Sequence, residues 1–414
     1  MTRNLKCRLC GSTQLLEMLS LGDQQLTGVF PKNTETQVLS GELTLQRCEE
    51  CTLVQLGHSY DKDLMYGMNY GYQSSLNDSM KFHLKTIAEK IRDYLNFTDG
   101  DVIVDIGSND GTFLSFFENL GLKRVGIDPT ISKFADSYHS DIIKVPEFFT
   151  KDSFNSVSDK SAKFISSISM MYDLDDPVNF ALQVHSCLDD NGFWFFEQSY
   201  LGLMLEKLAY DTVCHEHLEY YSAYTIHNIL NKTGFLVRSI ELNSINGGSI
   251  AILASKKKNE TDEHCEEFIT LLNDELSQGL NTRDKLIAYS DNVKLHRDDL
   301  VKVVNKFLLQ GKTISALGAS TKGNVLLQYC GLDRTKISMI GDVNPDKFGC
   351  VTPGTHIPIV PESKVFDLKP DVILILPWHF EETFMNKTKS FVKNGGIVIF
   401  PLPTIKLLGH SVAS

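Results

Sequence analysis

No stretch of this chain is apolar for long enough to cross a bilayer. The longest such run near the end is Val372 to Trp378, against the roughly 20 residues a spanning helix needs. The opening MTRNLKCRLC lacks the apolar core of a signal peptide. Basic runs and basic amphipathic helices are missing, and the formal charge of −12 works against non-specific binding to nucleic acid or an anionic membrane surface. The chain therefore reads as cytoplasmic, with neither nucleic acid nor membrane as a partner. Nine cysteines are an odd number, and Cys187, Cys214, Cys265, Cys330 and Cys350 are scattered, which suits a reducing compartment better than a disulfide scaffold. Three chemical signatures are also absent: the G-x-G-x-x-G of dinucleotide sites, the G-x-x-x-x-G-K-[ST] of phosphate loops and the i, i+4 histidine pair of zincin helices.

What is present is size and apolar content: 414 residues, 42% hydrophobic, enough for two or three domains with real cores. They are organised around DVIVDIGSNDGTFLSFFENLGLKRVGIDP, residues 101–129. Val102 to Ile106 predict a buried parallel strand, Thr112 to Leu120 a helix, and Val125 to Ile127 a second strand ending in Asp128. Gly107, Asn109 and Gly111 make a turn whose backbone a ligand can approach closely. Asp128, at a strand tip, is placed to accept hydrogen bonds from ribose hydroxyls. Asp105 would repel a pyrophosphate but suits a cationic ligand. S-adenosylmethionine carries a sulfonium, a ribose and an amino acid and no phosphate, so the turn predicts a methyl donor rather than a hydride carrier. Another nucleotide, or a turn with no cofactor, is the alternative.

Before this core, residues 1–56 carry Cys7-x-x-Cys10 and Cys48-x-x-Cys51, two knuckles that can present four thiolates tetrahedrally to a structural zinc. Few large apolar residues surround them, so metal would supply folding energy. With four cysteine ligands the zinc has no open position for catalysis. A connector then holds Tyr66, Tyr70 and Tyr72, either lining a sugar or adenine pocket or packing two domains together. Residues 80–95 repeat apolar side chains at helical spacing. After the second core strand come a helix from Ile131 to Ser137, strands at 142–145, 164–167 and 193–197, and a helix from Pro177 to Leu188, the pattern of a mostly parallel sheet. Ser169 and Met170 follow the fourth strand, where a reacting methyl group would lie.

The stretch Tyr210 to Ser222 contains His215, Glu216 and His217 followed by Tyr220 and Tyr221. Adjacent ionisable groups cost desolvation energy unless paired or exposed. A polar active-site cluster explains them better than a solvated loop. Gly247-Gly248-Ser249 allows substrate to approach the backbone or forms a hairpin or bulge. Residues 256–310 read as a helical bridge, and 311–414 as a further α/β unit. Its turn Gly318-Ala-Ser-Thr-Lys-Gly323 can hold an anion at a helix start, with Lys322 meeting a phosphate; alternatively this unit only braces the first.

These motifs, in this order, resemble the sugar C-methyltransferases that act on nucleotide-linked keto-deoxysugars. The resemblance covers nearly the whole chain: the paired knuckles, Tyr70-Gly-Tyr-x-Ser74, Asp105 to Gly111, His215-Glu-His217, Gly247-Gly-Ser249, Gly318-Ala-Ser-x-Lys-Gly-Asn324 and Pro353 to Pro358. It implies a class I Rossmann-like methyltransferase core over 57–255, with a small N-terminal zinc module and a C-terminal Rossmann-like α/β domain that helps hold the nucleotide sugar. It implies S-adenosyl-L-methionine held by Asp105, Gly107, Ser108, Asn109, Gly111, Asp128, Pro129, Ser169 and Met170. Structural zinc falls to Cys7, Cys10, Cys48 and Cys51. It makes His217 the base, with Glu216 orienting it or binding the sugar, and His215 or Tyr72 helping to hold an enolate oxygen. Tyr70, Tyr72, Ser74, Tyr221, Ser249, Lys322 and His356 become the substrate contacts. Two positions depart from the family pattern: Cys214 replaces a common tyrosine, and Asp128 a common glutamate. The expected reaction is C-methylation of a 4-keto-deoxysugar at C-3. An O- or N-methyltransferase, a zinc-containing binding protein and an NAD-linked sugar enzyme are the alternatives, and the layout permits a monomer.

Overall fold

Residues 2–61, 65 and 72–409 are described by the computed structural model, so Tyr66 and Tyr70 lie outside the described residues. The chain begins with β1 (Thr2–Arg3), β2 (Leu15–Gln25), β3 (Ser40–Cys48), β4 (Val54–Leu56) and β5 (His58–Ser59). β2, β3 and β4 form an antiparallel sheet, and β1 pairs with β5. Together they make a head that the metal-ligating cysteines close off at one end.

The central sheet is built from β6 (Val102–Ile106), β7 (Lys123–Ile127), β8 (Ile143–Val145), β9 (Ala162–Ile168) and β10 (Leu188–Ser199). Next, β11 (Glu219–Tyr220) leaves this sheet, and β12 (Phe235–Asn243) and β13 (Ser249–Lys256) return to it. The order is β12-β13-β10-β9-β6-β7-β8, parallel from β10 to β8, with β13 and β12 antiparallel at the far edge. β6 is buried at every position because helices cover both faces, which is why every residue in it but Asp105 is apolar. The helix Asp78–Tyr94 starts where the Asn77 side chain accepts the N–H groups of Ser79 and Met80, and it buries Met80, Leu84, Ile87 and Ile91 on the sheet.

Two expectations change here. The helix expected to run to Leu120 stops at Ser115, because Phe113, Leu114 and Phe117 all turn into the core and Asn119 and Gly121 take left-handed backbone angles. The sequence also suggests that Asn191-Gly192 turn into the strand that starts at Phe193; they are instead an irregularity within β10, where the register shifts between Leu188 and Phe193. The Gly247-Gly248 alternatives resolve to a short helical turn (Ile245–Gly247) joining the antiparallel β12 and β13.

β11 pairs with β4, so the head sheet takes its edge strand from the segment that carries His215 to His217. Residues 1–56 alone do not complete this sheet. The third sheet holds β14 (Ile314–Leu317), β15 (Ile340–Asp342), β16 (Ile359–Pro361), β17 (Val372–Ile375), β18 (Ile397–Phe400) and β19 (Lys406–Leu408), in the order β16-β15-β14-β17-β18-β19. It repeats the central design. Asp128 accepts the N–H of Asn109 at 2.8 Å and of Thr130 at 2.6 Å; Asp342, at the same strand tip, accepts those of Ala319 and Asn344, both at 2.8 Å. The helix Arg283–Leu309 buries Leu286, Val293, Leu300, Val304 and Phe307 in a core shared by the head, residues 209–220 and the third sheet. It is thus part of that core as well as a bridge. No helix among the described residues is long and apolar enough to cross a membrane.

Candidate active site

The four knuckle cysteines converge. Each knuckle turns back just after its second cysteine, at Gly11 (φ 75°) and Thr52 (φ 63°). The sulfurs of Cys7 and Cys51 are 3.4 Å apart, those of Cys10 and Cys48 3.5 Å, and all four lie within 4.8 Å of one another. A zinc–sulfur bond of about 2.3 Å gives tetrahedral edges of about 3.8 Å, so this donor set fits zinc with no position left open.

At the C-terminal ends of β6 and β7, Gly107 (φ 74°) and Gly111 (φ 77°) frame the turn. A Cβ on Gly107 would sit 3.0 Å from Met170 Cγ and fill the approach to the backbone. Asp105 is buried and accepts the Ser166 hydroxyl at 2.7 Å; burial, with Asp128 and Asp110 adding like charge, pushes its carboxyl up to about 7. Burial also raises Asp128. Its two backbone partners leave carboxylate lone pairs for a diol. The turn contributes acids and no cation, so it fits a sulfonium-bearing ribonucleoside and not a pyrophosphate. Pro129 follows Asp128 directly. Ser169 takes a positive φ of 55°, and its N–H donates to the Glu197 carbonyl at 2.7 Å.

The sequence placed Tyr72 and Ser74 on substrate. In the structure this segment is latched to the glycine turn: Ser74 N–H donates to Asn109 Oδ1 at 3.0 Å, Ser75 N–H to Asp110 Oδ2 at 2.9 Å, and Asn109 Nδ2 to the Tyr72 carbonyl at 3.2 Å. The Tyr72 side chain is 43% exposed. Sequence reasoning missed Tyr138, which donates to the Asn109 carbonyl at 3.0 Å and so accepts the Ser108 hydroxyl at 2.7 Å. It also missed His83, whose Nε2 lies 2.8 Å from Glu197 Oε1. An acid ending the otherwise apolar run FWFFE was the available signal for Glu197.

The His-Glu-His turn is pinned from two sides. Leu56 N–H donates to the Leu218 carbonyl at 2.8 Å, and Leu218 N–H to the Tyr172 carbonyl at 2.7 Å. His217 Nδ1–H donates to the Thr212 carbonyl at 2.8 Å. A carbonyl can only accept, so the proton is fixed on Nδ1 and the lone pair on Nε2. The Tyr172 ring lies 4.2 Å from the imidazole, centre to centre. Burial, aided by the charge of Lys322, lowers His217 to about 3.

His215 does not join it. Its fully buried ring faces the head, with Nε2 3.4 Å from the Gly41 carbonyl and Tyr60 edge-on at 4.7 Å, which removes it from the position of an enolate donor. Glu216 reaches the opposite way, over Gly28, where an added Cβ would collide with Oε1 and come within 3.6 Å of Thr321 Oγ1. Glu216 Oε2 is buried with no hydrogen-bond partner among the described residues, and burial raises this carboxyl. Cys214 is buried beside Glu216, which adds to burial in raising its thiol.

Lys322 enters from the third sheet. Its ammonium donates to the Asn246 carbonyl and faces Asp211, whose Oδ2 accepts Trp378 Nε1–H at 2.7 Å. Two expected substrate contacts belong to the framework instead. Tyr221 is fully buried with its hydroxyl toward the Met171 carbonyl at 3.4 Å, and Ser249 is fully buried and donates to the Ile245 carbonyl at 2.9 Å. His356 (φ 55°) rides a loop docked on the head through Gly354 N–H and Gln25 Oε1 at 2.6 Å.

Comparison with known proteins divides the chain in the same way. Residues 7–66 match a zinc-binding domain family, 80–240 a methyltransferase domain family and 244–403 the C-methyltransferase C-terminal domain. A curated relative, C-methyltransferase NovU of Streptomyces niveus, is 27% identical over 97% of this chain and 96% of its own. Solved structures similar to this chain include the mitomycin 7-O-methyltransferase MmcR, 12% identical over 44% of this chain and 55% of that one at a TM-score of 0.34. Another is the ribosomal protein L11 methylase of Lactobacillus delbrueckii subsp. bulgaricus, 14% identical over 44% and 81% at 0.30.

Proposed function

The chain is an S-adenosylmethionine-dependent methyltransferase of mixed α/β fold with a zinc-binding head, related along its length to a C-methyltransferase, and from that premise we propose that it methylates C-3 of a nucleotide-linked 4-keto-deoxysugar. The observation that carries this reading is His217. Its tautomer is fixed by the Thr212 carbonyl, which keeps the proton on Nδ1 and leaves the Nε2 lone pair to accept another. Such a group can remove a proton from carbon, and a neighbouring ketone makes that proton acidic. Positioned bases of this kind contribute about 10²–10⁴-fold.

S-adenosylmethionine, when bound over the Gly107–Gly111 turn with Asp105 and Asp128 toward its polar groups, supplies an electrophilic methyl. The chain does the rest. His217 takes the C-3 proton at Nε2 while Thr212 holds the ring in place. Tyr172 and the buried surroundings of Cys214 exclude water from the proton. The third sheet, with its second strand-tip acid Asp342, anchors the nucleotide half of the acceptor and brings the ketosugar to His217. Positioning two substrates in this way lowers the barrier without further chemistry from the protein.

The test is incubation with labelled S-adenosylmethionine and a panel of nucleoside-diphosphate 4-keto sugars, read by mass after ether cleavage with hydriodic acid. Label retained on the carbon skeleton is the expected result. Label released as methyl iodide identifies an O-methyltransferase and ends the reading.

A further inference from the structure

Lys322 stands in the wrong place for the phosphate its turn suggested. The helix Thr321–Tyr329 packs on the turn Tyr210–Thr212, and Thr321 Oγ1 and Glu216 Oε1 converge over Gly28. The Lys322 ammonium donates to the Asn246 carbonyl, and Asn246 Nδ2 donates to Ser169 Oγ at 3.2 Å. Ser169 directly follows β9, one residue before the Met170 that faces Gly107. The ammonium is therefore tied through Asn246 to the residue that follows β9 beside the methyl-donor turn, and its charge reaches the His217 base. In a 4-keto sugar linked through C-1, the diphosphate and the ketone stand at opposite ends of the ring. A cation at the methyl-transfer end meets the ketone end.

The charges around it point the same way. The groups that face Lys322 are Asp211, Cys214, His217 and His379. Asp211 is the carboxylate among them. It is buried, and its Oδ1 has no hydrogen-bond partner among the described residues. Burial raises the Asp211 carboxyl and lowers the Lys322 ammonium, while each favours the charged form of the other. A cation so close to a general base opposes protonation of that base. The arrangement becomes favourable when a negative charge develops between them, as on the oxygen of an enolate.

We propose that Lys322 is a catalytic residue whose ammonium holds the ketone oxygen and stabilises the enolate, with Asp211 as its positioning residue. This rests on the ketosugar reading above. His217 Nε2 forms a bond to the C-3 proton, and the C–H electron pair becomes the C-3–C-4 π bond. The carbonyl π pair moves to oxygen, where Lys322 keeps its own proton and balances the charge. The enolate pair then forms the C–CH3 bond, and the sulfonium C–S pair remains on sulfur as a neutral thioether. The ketone is restored, and the His217 proton passes to water as product leaves.

The experiment uses the full chain in deuterium oxide without methyl donor, with thymidine- and uridine-diphosphate 4-keto-6-deoxyglucose as probes. It follows washout of the C-3 proton in wild type, Lys322→Met and Lys322→Arg. Washout in Lys322→Met is expected to fall by about 10²–10³-fold, the usual loss for one oxyanion donor. Affinity for free thymidine and uridine diphosphates should stay within about twofold, because an oxyanion donor acts on the reacting oxygen and not on a remote phosphate. The acid limb of kcat/KM should move to higher pH as His217 loses its cationic neighbour. Lys322→Arg keeps the charge that buried Asp211 requires, so it folds even if Lys322→Met does not; its washout should exceed that of Lys322→Met, or fall below wild type where Lys322→Met cannot be prepared. Unchanged washout in Lys322→Met, or in Lys322→Arg where Lys322→Met cannot be prepared, overturns the proposal. So does lost diphosphate affinity with kcat intact, which makes Lys322 a phosphate ligand. A wild-type chain that neither exchanges nor methylates these sugars overturns the ketosugar reading and this proposal together; wild-type methylation with an indifferent Lys322 overturns this proposal alone.

Discussion

At the scale of single residues, the account turns on side chains whose ionisation is set by burial. His217→Asn keeps an N–H near the Nδ1 position to meet the Thr212 carbonyl but removes the ring and its Nε2 lone pair. Turnover should fall by about 10²–10⁴-fold, while methyl-donor affinity measured by calorimetry stays near wild type; equal loss of both would make His217 structural. Asp105, raised to about 7, gives a second prediction. Its ionised form favours a sulfonium and ammonium, so methyl-donor affinity should rise as pH increases through that value. Asp105→Asn should abolish that rise. Gly28→Ala touches neither substrate, yet its methyl collides with Glu216 Oε1. It should lower kcat with little change in donor affinity. The four cysteines were legible from sequence because their spacing carries the chemistry, and the turn that holds Gly107 between Asp105 and Asp128 was legible as a strand-end turn. Tyr221 and Ser249 look the same in sequence as exposed donors. Only the packed structure reveals that their hydroxyls meet Met171 and Ile245.

At the scale of elements, β11 joins the zinc head to the turn that carries His215 to His217. Chelation of zinc should therefore silence turnover by releasing β4 and, with it, the strand that leads out of His217. The methyl-donor turn lies in a different sheet, and its affinity should survive. Turnover that persists after zinc is stripped, checked by metal analysis, would break this coupling. Sequence patterning marked β6 by its β-branched apolar residues and the helix Arg283–Leu309 by its length and apolar stripe. β11 has two residues and no pattern of its own. It exists because Leu56 and β4 offer a free edge, a tertiary cause that no local window contains. The shortened helix at Thr112–Ser115 has the same kind of cause, since three aromatic and aliphatic side chains bury together.

At the scale of the whole molecule, apolar clusters run from the head into both larger sheets. Unfolding by calorimetry should show one cooperative transition, and residues 1–310 alone should be unstable, because Val293, Leu300 and Phe307 would lose the third sheet. Acid adds a further test. His215 and His264 are lowered to about 4, and His217 and His379 to about 3, in each case mainly by burial. Between these values and the unfolded pKa near 6.5, the unfolded chain binds protons that the folded chain refuses, so these groups make stability fall as pH drops. Asp105 works in the other direction from about 7 downward. Denaturant midpoints measured across that range should decline toward acid, and His264→Phe should flatten the decline.

The most direct measurement is carbon NMR of the product made with S-adenosylmethionine labelled in its methyl group. The account predicts a methyl signal with one-bond coupling to a ring carbon of a sugar labelled at C-3. A methyl signal bonded to oxygen or nitrogen, with no coupling to that carbon, would contradict it.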